Sequence, residues 1–258
     1  MNTFTDSIVT AFSLITSLDP VLASITVRSL AVSSAACVIA CSVGLLLGSW
    51  LGVARFAGRG VLLALLNTAL ALPSVVVGLV VYLLLSRSGP LGFLGWLFSF
   101  KAMVLAQSVL VLPVVMALVR QTIEDADRLH GEQFQSLGAG RFVRSLLLLW
   151  DERLALLTVL IAAFGRAISE VGAVMVVGGN VDGFTRVMTT AIALETSKGD
   201  LPLALALGIV LLALVLLING LIAAVRYVAG RQASHDVFNA PLHPPMASPS
   251  ASQPAVLP

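Results

Sequence analysis

Long apolar runs, separated by short clusters of charge, organise the chain. Between Arg28 and Arg55 lie 26 uncharged residues, between Arg59 and Arg87 lie 27, between Lys101 and Arg120 lie 18, and between Asp200 and Arg226 lie 25. Each run is long enough to cross a hydrocarbon core as a helix, which takes about 20 residues. A fifth segment, from Leu154 to about Val177, is equally apolar but contains Arg166 and Glu170. The pattern predicts an all-α integral membrane protein with five spans, at about 22–54, 60–86, 101–120, 153–178 and 201–227. Residues 1–20 form a mildly amphipathic lead-in with Asp6 and Asp19, and no basic n-region precedes the first run. Residues 121–152 are the long polar loop between spans. Residues 229–258 hold six of the eleven prolines, are rich in Ser, Ala and Pro, and are expected to form a disordered tail.

Composition sharpens this picture. Only 11% of the residues are charged, against about 25% in soluble domains, and the mean hydropathy is +1.01. A water-soluble globular protein is excluded. The basic residues are 13 arginines and two lysines, and they form no stripe, so no nucleic-acid partner is expected. With the N-terminus outside, nine basic residues fall on the inner side and five on the outer side. The positive-inside rule therefore favours N-out, C-in. Cys37 and Cys41 lie four apart in an apolar run and read as small packing residues. His235 and His243 fall in the tail with no ligand cluster around them, so no metal site is expected.

Several positions inside the spans carry candidate chemistry. Pro73 and Pro113 each interrupt an apolar run and predict kinked helices, which either merely pack or line a pathway that opens and closes. Val75 to Val77, with Val76 at the centre, are candidates for an apolar constriction beside Pro73. Arg166 and Glu170 are four apart and predict a pair on one helix face. A mid-membrane charge costs about 2.5–3.5 kcal/mol, so both should face protein or a water-filled route. They are either a structural ion pair or part of an anion path. Gly172-Ala173 permits close helix approach, and Gly178, Gly179 and Asn180 weaken the helix at its outer end.

The loop reads as a helix, a glycine turn and a second helix at the membrane surface. Glu132, Gly138 six residues later and Leu148 ten beyond resemble the coupling-loop motif of ABC importer permeases. That motif runs Glu-Ala-Ala, three residues, Gly, nine residues, Ile-x-Leu-Pro. The chain departs from it at Gln133 and Phe134, and has Trp150-Asp151 in place of Leu-Pro. The stretch from Phe164 to Ala173, running on to Gly179 and Asn180, is similar to the fourth core span of molybdate, sulfate and tungstate permeases. The segment from Asn180 to Asp200 is similar to the tungstate branch. The resemblance covers about Val21 to Tyr227.

It implies a type I ABC importer permease core of five spans, in a multi-pass protein of the bacterial cytoplasmic membrane. The implied assembly contains a second permease copy, two ATP-binding subunits and an outer oxyanion-binding protein, all amid membrane lipid. The element from Glu132 to Gly138 would dock on the ATPase. Phe134 and Phe142, beside Arg141, are apolar anchors suited to an ATPase pocket or to the permease's own inner helices. No Walker A loop surrounds Lys101 or Lys198. The chain therefore binds no cofactor of its own, and ATP belongs to a partner subunit. Two rivals stand beside this reading. An ATP-independent secondary transporter or channel would use Arg166 and Glu170 for ion coupling, but no inverted repeat is visible. An intramembrane enzyme would need a nucleophile–base or metal set that the spans lack.

Overall fold

The computed structural model describes residues 3–17 and 19–238. Among these the chain is helical with no strand. The helices are α1 (Thr3–Thr16), α2 (Pro20–Val53), α3 (Arg59–Leu70), α4 (Ser74–Leu85), α5 (Phe100–Ser136), α6 (Arg141–Asp151), α7 (Arg153–Ile168), α8 (Gly172–Gly178), α9 (Met188–Lys198) and α10 (Leu201–Phe238). The lead-in is not loose chain. Its helix α1 buries Ala11 against α10 and the start of α2. Asp19 caps α2, its carboxylate accepting the N–H groups of Val21 at 2.9 Å and Leu22 at 3.0 Å. Pro20 fits the first helical turn, where its missing N–H costs nothing. Helix α10 continues through residues 229–238 of the expected tail. The rest of that tail, 239–258, lies outside the described residues.

Three helices are long and apolar enough to cross a membrane unbroken, α2, α5 and the first 24 residues of α10. Five spans result only if two bent pairs each count as one. These are α3 with α4, bent by 100°, and α7 with α8, bent by 56°. The expectation of a kinked rod at Pro73 is therefore corrected. Helix α3 stops at Leu70 and α4 starts at Ser74, with Pro73 as its N-cap at φ −62°, ψ 129°. A proline pushes the preceding residue, here Leu72, out of the helical region, so the span breaks instead of bending. Pro113 lies inside α5, which runs unbroken from Phe100 to Ser136.

The most extensive helix contact among the described residues joins α2 to α5. Gly44, Gly48 and Gly52 repeat every four residues and form a stripe on α2. They face Val115, Val119 and Ile123, which repeat in the same way on α5. A Cβ at Gly48 would lie 2.9 Å from the Met116 carbonyl oxygen, and one at Gly44 would lie 2.7 Å from Val115 Cγ1. The close approach buries Cys37, Ala40, Val115 and Val119 in one cluster that also includes Val159 and Ala163 of α7. Cys37 and Cys41 are free thiols within this packing.

The glycine stripe makes a direct test possible. Overpacking typically costs about 1–3 kcal/mol. Gly48→Val is expected to lower the yield of monodisperse protein several-fold, read by size-exclusion chromatography of a fluorescent fusion. Gly208→Ala, on α10 with open space around it, should leave the yield unchanged. Equal yields would contradict the close α2–α5 contact.

Candidate functional site

Both broken spans meet at Glu170. Helix α7 ends at Ile168, so Glu170 is not on the helix of Arg166, as the four-residue spacing suggested. It lies in the break before α8. The pair forms nonetheless, with Arg166 Nη1 donating to Glu170 Oε2 at 2.8 Å. The two partners are unequal. The Glu170 side chain is 5% exposed, while that of Arg166 is 49% exposed. Glu170 also accepts the Ala173 N–H at the start of α8, at 3.3 Å, and the Ser74 hydroxyl at the start of α4 lies beside it. One buried carboxylate thus meets the end of α7 and the first turns of both half-helices.

The backbone around the break is satisfied by polar side chains from neighbouring helices. Gln107 of α5 donates Nε2 to the Ala167 carbonyl at 2.9 Å. Thr189 of α9 donates its hydroxyl to the Glu170 carbonyl at 2.7 Å. Ser29 of α2 accepts the Met188 N–H at 2.7 Å. Sequence reasoning missed all three. Each sits beside another polar residue at the edge of or within an apolar stretch, Gln107 next to Ser108, Thr189 next to Thr190 and Ser29 next to Arg28. Small residues bring the half-helices together: a Cβ at Gly172 would lie 2.7 Å from Ser74 Oγ, and one at Gly78 would lie 2.7 Å from Ala173 Cα.

The predicted pathway residues divide in two. Pro73, Arg166 and Glu170 gather at this junction, with Val76 beside it and exposed on the first turn of α4. Val77 is buried against α5 and α8, which removes it from the expected constriction. Gly179 and Asn180 lie at the other end of α8, about 10 Å away at 1.5 Å per residue. They terminate the helix. Gly179 adopts φ +67° against the Phe98 ring, and Asn180 adopts φ +50° and donates Nδ2 to the Thr190 carbonyl at 3.2 Å.

The expected docking loop is more rigid than a polar loop. Helix α5 continues through Glu124, Asp125 and Asp127 and stops only at Ser136. Gly138 then takes φ +78°. Its N–H bonds to the Gln135 carbonyl at 2.9 Å, and the Ala139 N–H bonds to the Phe134 carbonyl at 3.0 Å. This is a Schellman closure, which needs the left-handed residue that glycine supplies. Glu132 is exposed on the last turn of α5, and Phe142 is 64% exposed on α6. Phe134 is partly buried against the α2–α5–α7 cluster. Leu137, at 81% exposure, is an apolar tip that sequence reasoning did not single out. Arg141 donates Nη1 to the Arg55 carbonyl at 3.2 Å and joins the turn to the end of α2.

Two ion clusters brace this end. Arg144 of α6 pairs with Asp127 of α5 at 2.8 Å, both nearly buried. Glu124, also buried, draws four arginines. Arg59 Nη2 and Arg120 Nη1 donate to its Oε2 at 2.8 and 2.7 Å. Arg128 Nη2 donates to its Oε1 at 3.2 Å, and Arg55 pairs with the same oxygen at 3.5 Å. These charges are thus inter-helix ties. The i,i+4 spacing of Arg120, Glu124 and Arg128 was readable, but the approach of Arg55 and Arg59 was not.

Comparison with known proteins places this geometry. The family described as binding-protein-dependent transport system inner membrane component matches residues 44–226. A protein of Haloferax volcanii described as "Probable anion ABC transporter permease protein" is 43% identical, over 80% of this chain and 90% of its own. The tungstate uptake system permease protein of Peptoclostridium acidaminophilum is 41% identical, over 82% of this chain and 93% of its own. The molybdenum transport system permease protein of Escherichia coli K12 is 33% identical, over 67% of this chain and 80% of its own.

The Glu124 cluster separates burial from exposure in a measurable way. Removing the buried partner strands several guanidinium groups. Glu124→Gln is therefore expected to cost about 3 kcal/mol or more, seen as a clear fall in the thermal-unfolding midpoint in detergent. Arg128→Gln removes a mostly exposed partner and should cost about 0.5 kcal/mol or less. Equal shifts for the two variants would contradict this division.

Proposed function

Because the chain belongs to the binding-protein-dependent transport system inner membrane components, a family of transport subunits, we propose that it forms the oxyanion pathway of an ATP-driven importer, with tungstate as the cargo. It is a multi-pass membrane protein with the type I ABC permease fold. The tungstate reading is supported by the 41% identity to a tungstate uptake permease over most of both chains, against 33% for the molybdenum permease. In this reading two copies form the pore in the cytoplasmic membrane, N-terminus outside. Two ATP-binding subunits dock on the inner side, and a separate binding protein delivers the anion from outside.

The observation that carries the mechanism is the continuity of α5. One helix runs from the membrane through Glu132 to the Gly138 turn. A push on Glu132, Leu137 and Phe142 by an ATPase would reach the span without an intervening flexible segment. From α5, Gln107 bonds directly to the α7 break. Movement of α5 would therefore be felt at Glu170 and, through Ser74, at the Pro73 break. Arg166 presents its half-exposed guanidinium there. Held by Glu170, it supplies positive potential beside the exposed Val75 and Val76 without being stranded in lipid.

Two experiments test this. Proteoliposomes containing the permease, its ATPase and its binding protein should take up labelled tungstate only with ATP. Molybdate should compete better than sulfate, and uptake that persists without the ATPase would sink the importer reading. In the same system, Gly138→Val forces a β-branched residue into the left-handed region at about 1–2 kcal/mol. It should lower transport-coupled ATPase rates roughly tenfold with insertion intact. Arg166→Ala should lower uptake while leaving assembly with the ATPase unchanged, and wild-type uptake by that variant would make the pair purely structural.

A further inference from the structure

The arginine cluster at Glu124 carries more positive charge than it neutralises. Among the described residues, Glu124 is the one carboxylate within ion-pair distance of Arg55, Arg59, Arg120 and Arg128. The four guanidinium groups are unequal. Arg59 and Arg120 hold Oε2 at 2.8 and 2.7 Å and are largely covered. Arg55 and Arg128 reach Oε1 only at 3.5 and 3.2 Å and are mostly exposed. Four positive charges against one negative charge repel one another. Of the neighbouring acids on α5, Asp127 is already paired with Arg144, and the exposed Asp125 is within ion-pair distance of none of the four arginines. A second anion between Arg55 and Arg128 would relieve the imbalance and use donors that Glu124 leaves free.

The depth of the cluster identifies the class of anion. Arg120 is the first charge after the uncharged run of α5 that begins beyond Lys101. Glu124 and Arg128 lie about 6 and 12 Å further along the helix at 1.5 Å per residue. The polar headgroup layer on each side of a bilayer is about 5–7 Å thick. The cluster therefore straddles that layer. Trp50 and Phe56 stack beside it, ring centroids 5.5 Å apart, and both are exposed, as aromatic residues at a membrane interface are. On the Trp50 face of α2, Val43, Leu46 and Leu47 are also exposed and form an apolar track leading into the membrane from the arginines.

We propose that this cluster binds the phosphate headgroup of an anionic phospholipid, held between Arg55 and Arg128, with its acyl chains along the exposed face of α2. A headgroup there would bridge the α2–α3 connection to α5 one turn before Glu132. It would stiffen the segment through which force from a partner passes. The inference needs only that the chain lies in a membrane, so it stands or falls independently of the tungstate assignment.

The test uses the full-length permease co-purified with its ATPase and placed in nanodiscs containing phosphatidylcholine and phosphatidylglycerol. Lipids retained after mild delipidation are counted by native mass spectrometry, with free phosphate and free tungstate added in parallel arms. Wild-type protein is expected to retain phosphatidylglycerol over phosphatidylcholine. The double variant Arg55→Gln, Arg128→Gln should weaken that preference roughly tenfold or more, from the usual worth of a basic residue near an anionic surface. Lys101→Gln, at the opposite end of α5, serves as control. An unchanged thermal-unfolding midpoint in neutral detergent establishes that the double variant is folded. Equal retention by wild type and double variant overturns the proposal. So does displacement of the lipid by free phosphate or tungstate, which marks a soluble-anion site. A phosphatidylglycerol preference that vanishes when the ATPase is removed also overturns it, because the arginines then act through the protein partner.

Discussion

A membrane interior contains no water to bond a freed backbone group, and this chain breaks two of its helices there. The architecture follows from how those breaks are satisfied. The α7–α8 break frees the Ala167 and Glu170 carbonyls, and Gln107 and Thr189 reach them from α5 and α9. The start of α8 is met by Glu170 itself. Each of these bonds joins different helices. Satisfying the break therefore also fixes the relative positions of α5, α7, α8 and α9.

Glu170 shows how a costly residue is retained. A lone buried carboxylate in the membrane would be expelled or neutralised. Here it receives a guanidinium from α7 and a backbone N–H from α8, with the Ser74 hydroxyl of α4 beside it. Its partner Arg166 needs less protection because half of it is exposed. Glu170 in turn holds Arg166, whose guanidinium stays half exposed.

The end that carries Gly138 is held differently, by close packing and ion pairs. The glycine stripe of α2 locks onto α5, Arg144 locks α6 to α5 through Asp127, and Glu124 gathers the α2–α3 connection onto α5. Helix α5 is the common member of every one of these ties. It also reaches the other break through Gln107, so both ends of the molecule are referred to a single rod.

Much of this was legible in the sequence because burial in a membrane imposes a simple rule on composition. Uninterrupted apolar runs marked the spans, the Glu132–Gly138 spacing and the stretch from 164 to 200 marked the family, and Gly138 marked the turn. These are local properties, set by hydropathy and by the φ angle that only glycine adopts freely. Other features depended on which helices became neighbours. Pro73 ends a helix instead of bending it, Phe134 is partly buried against the α2–α5–α7 cluster, and Arg55 and Arg59 converge on Glu124. A one-dimensional pattern records the cost of a charge or a helix break, but not the partner that offsets it. Only the packing of α5 against the rest of the chain decided those partners, because close approach depends on side chains distant in sequence.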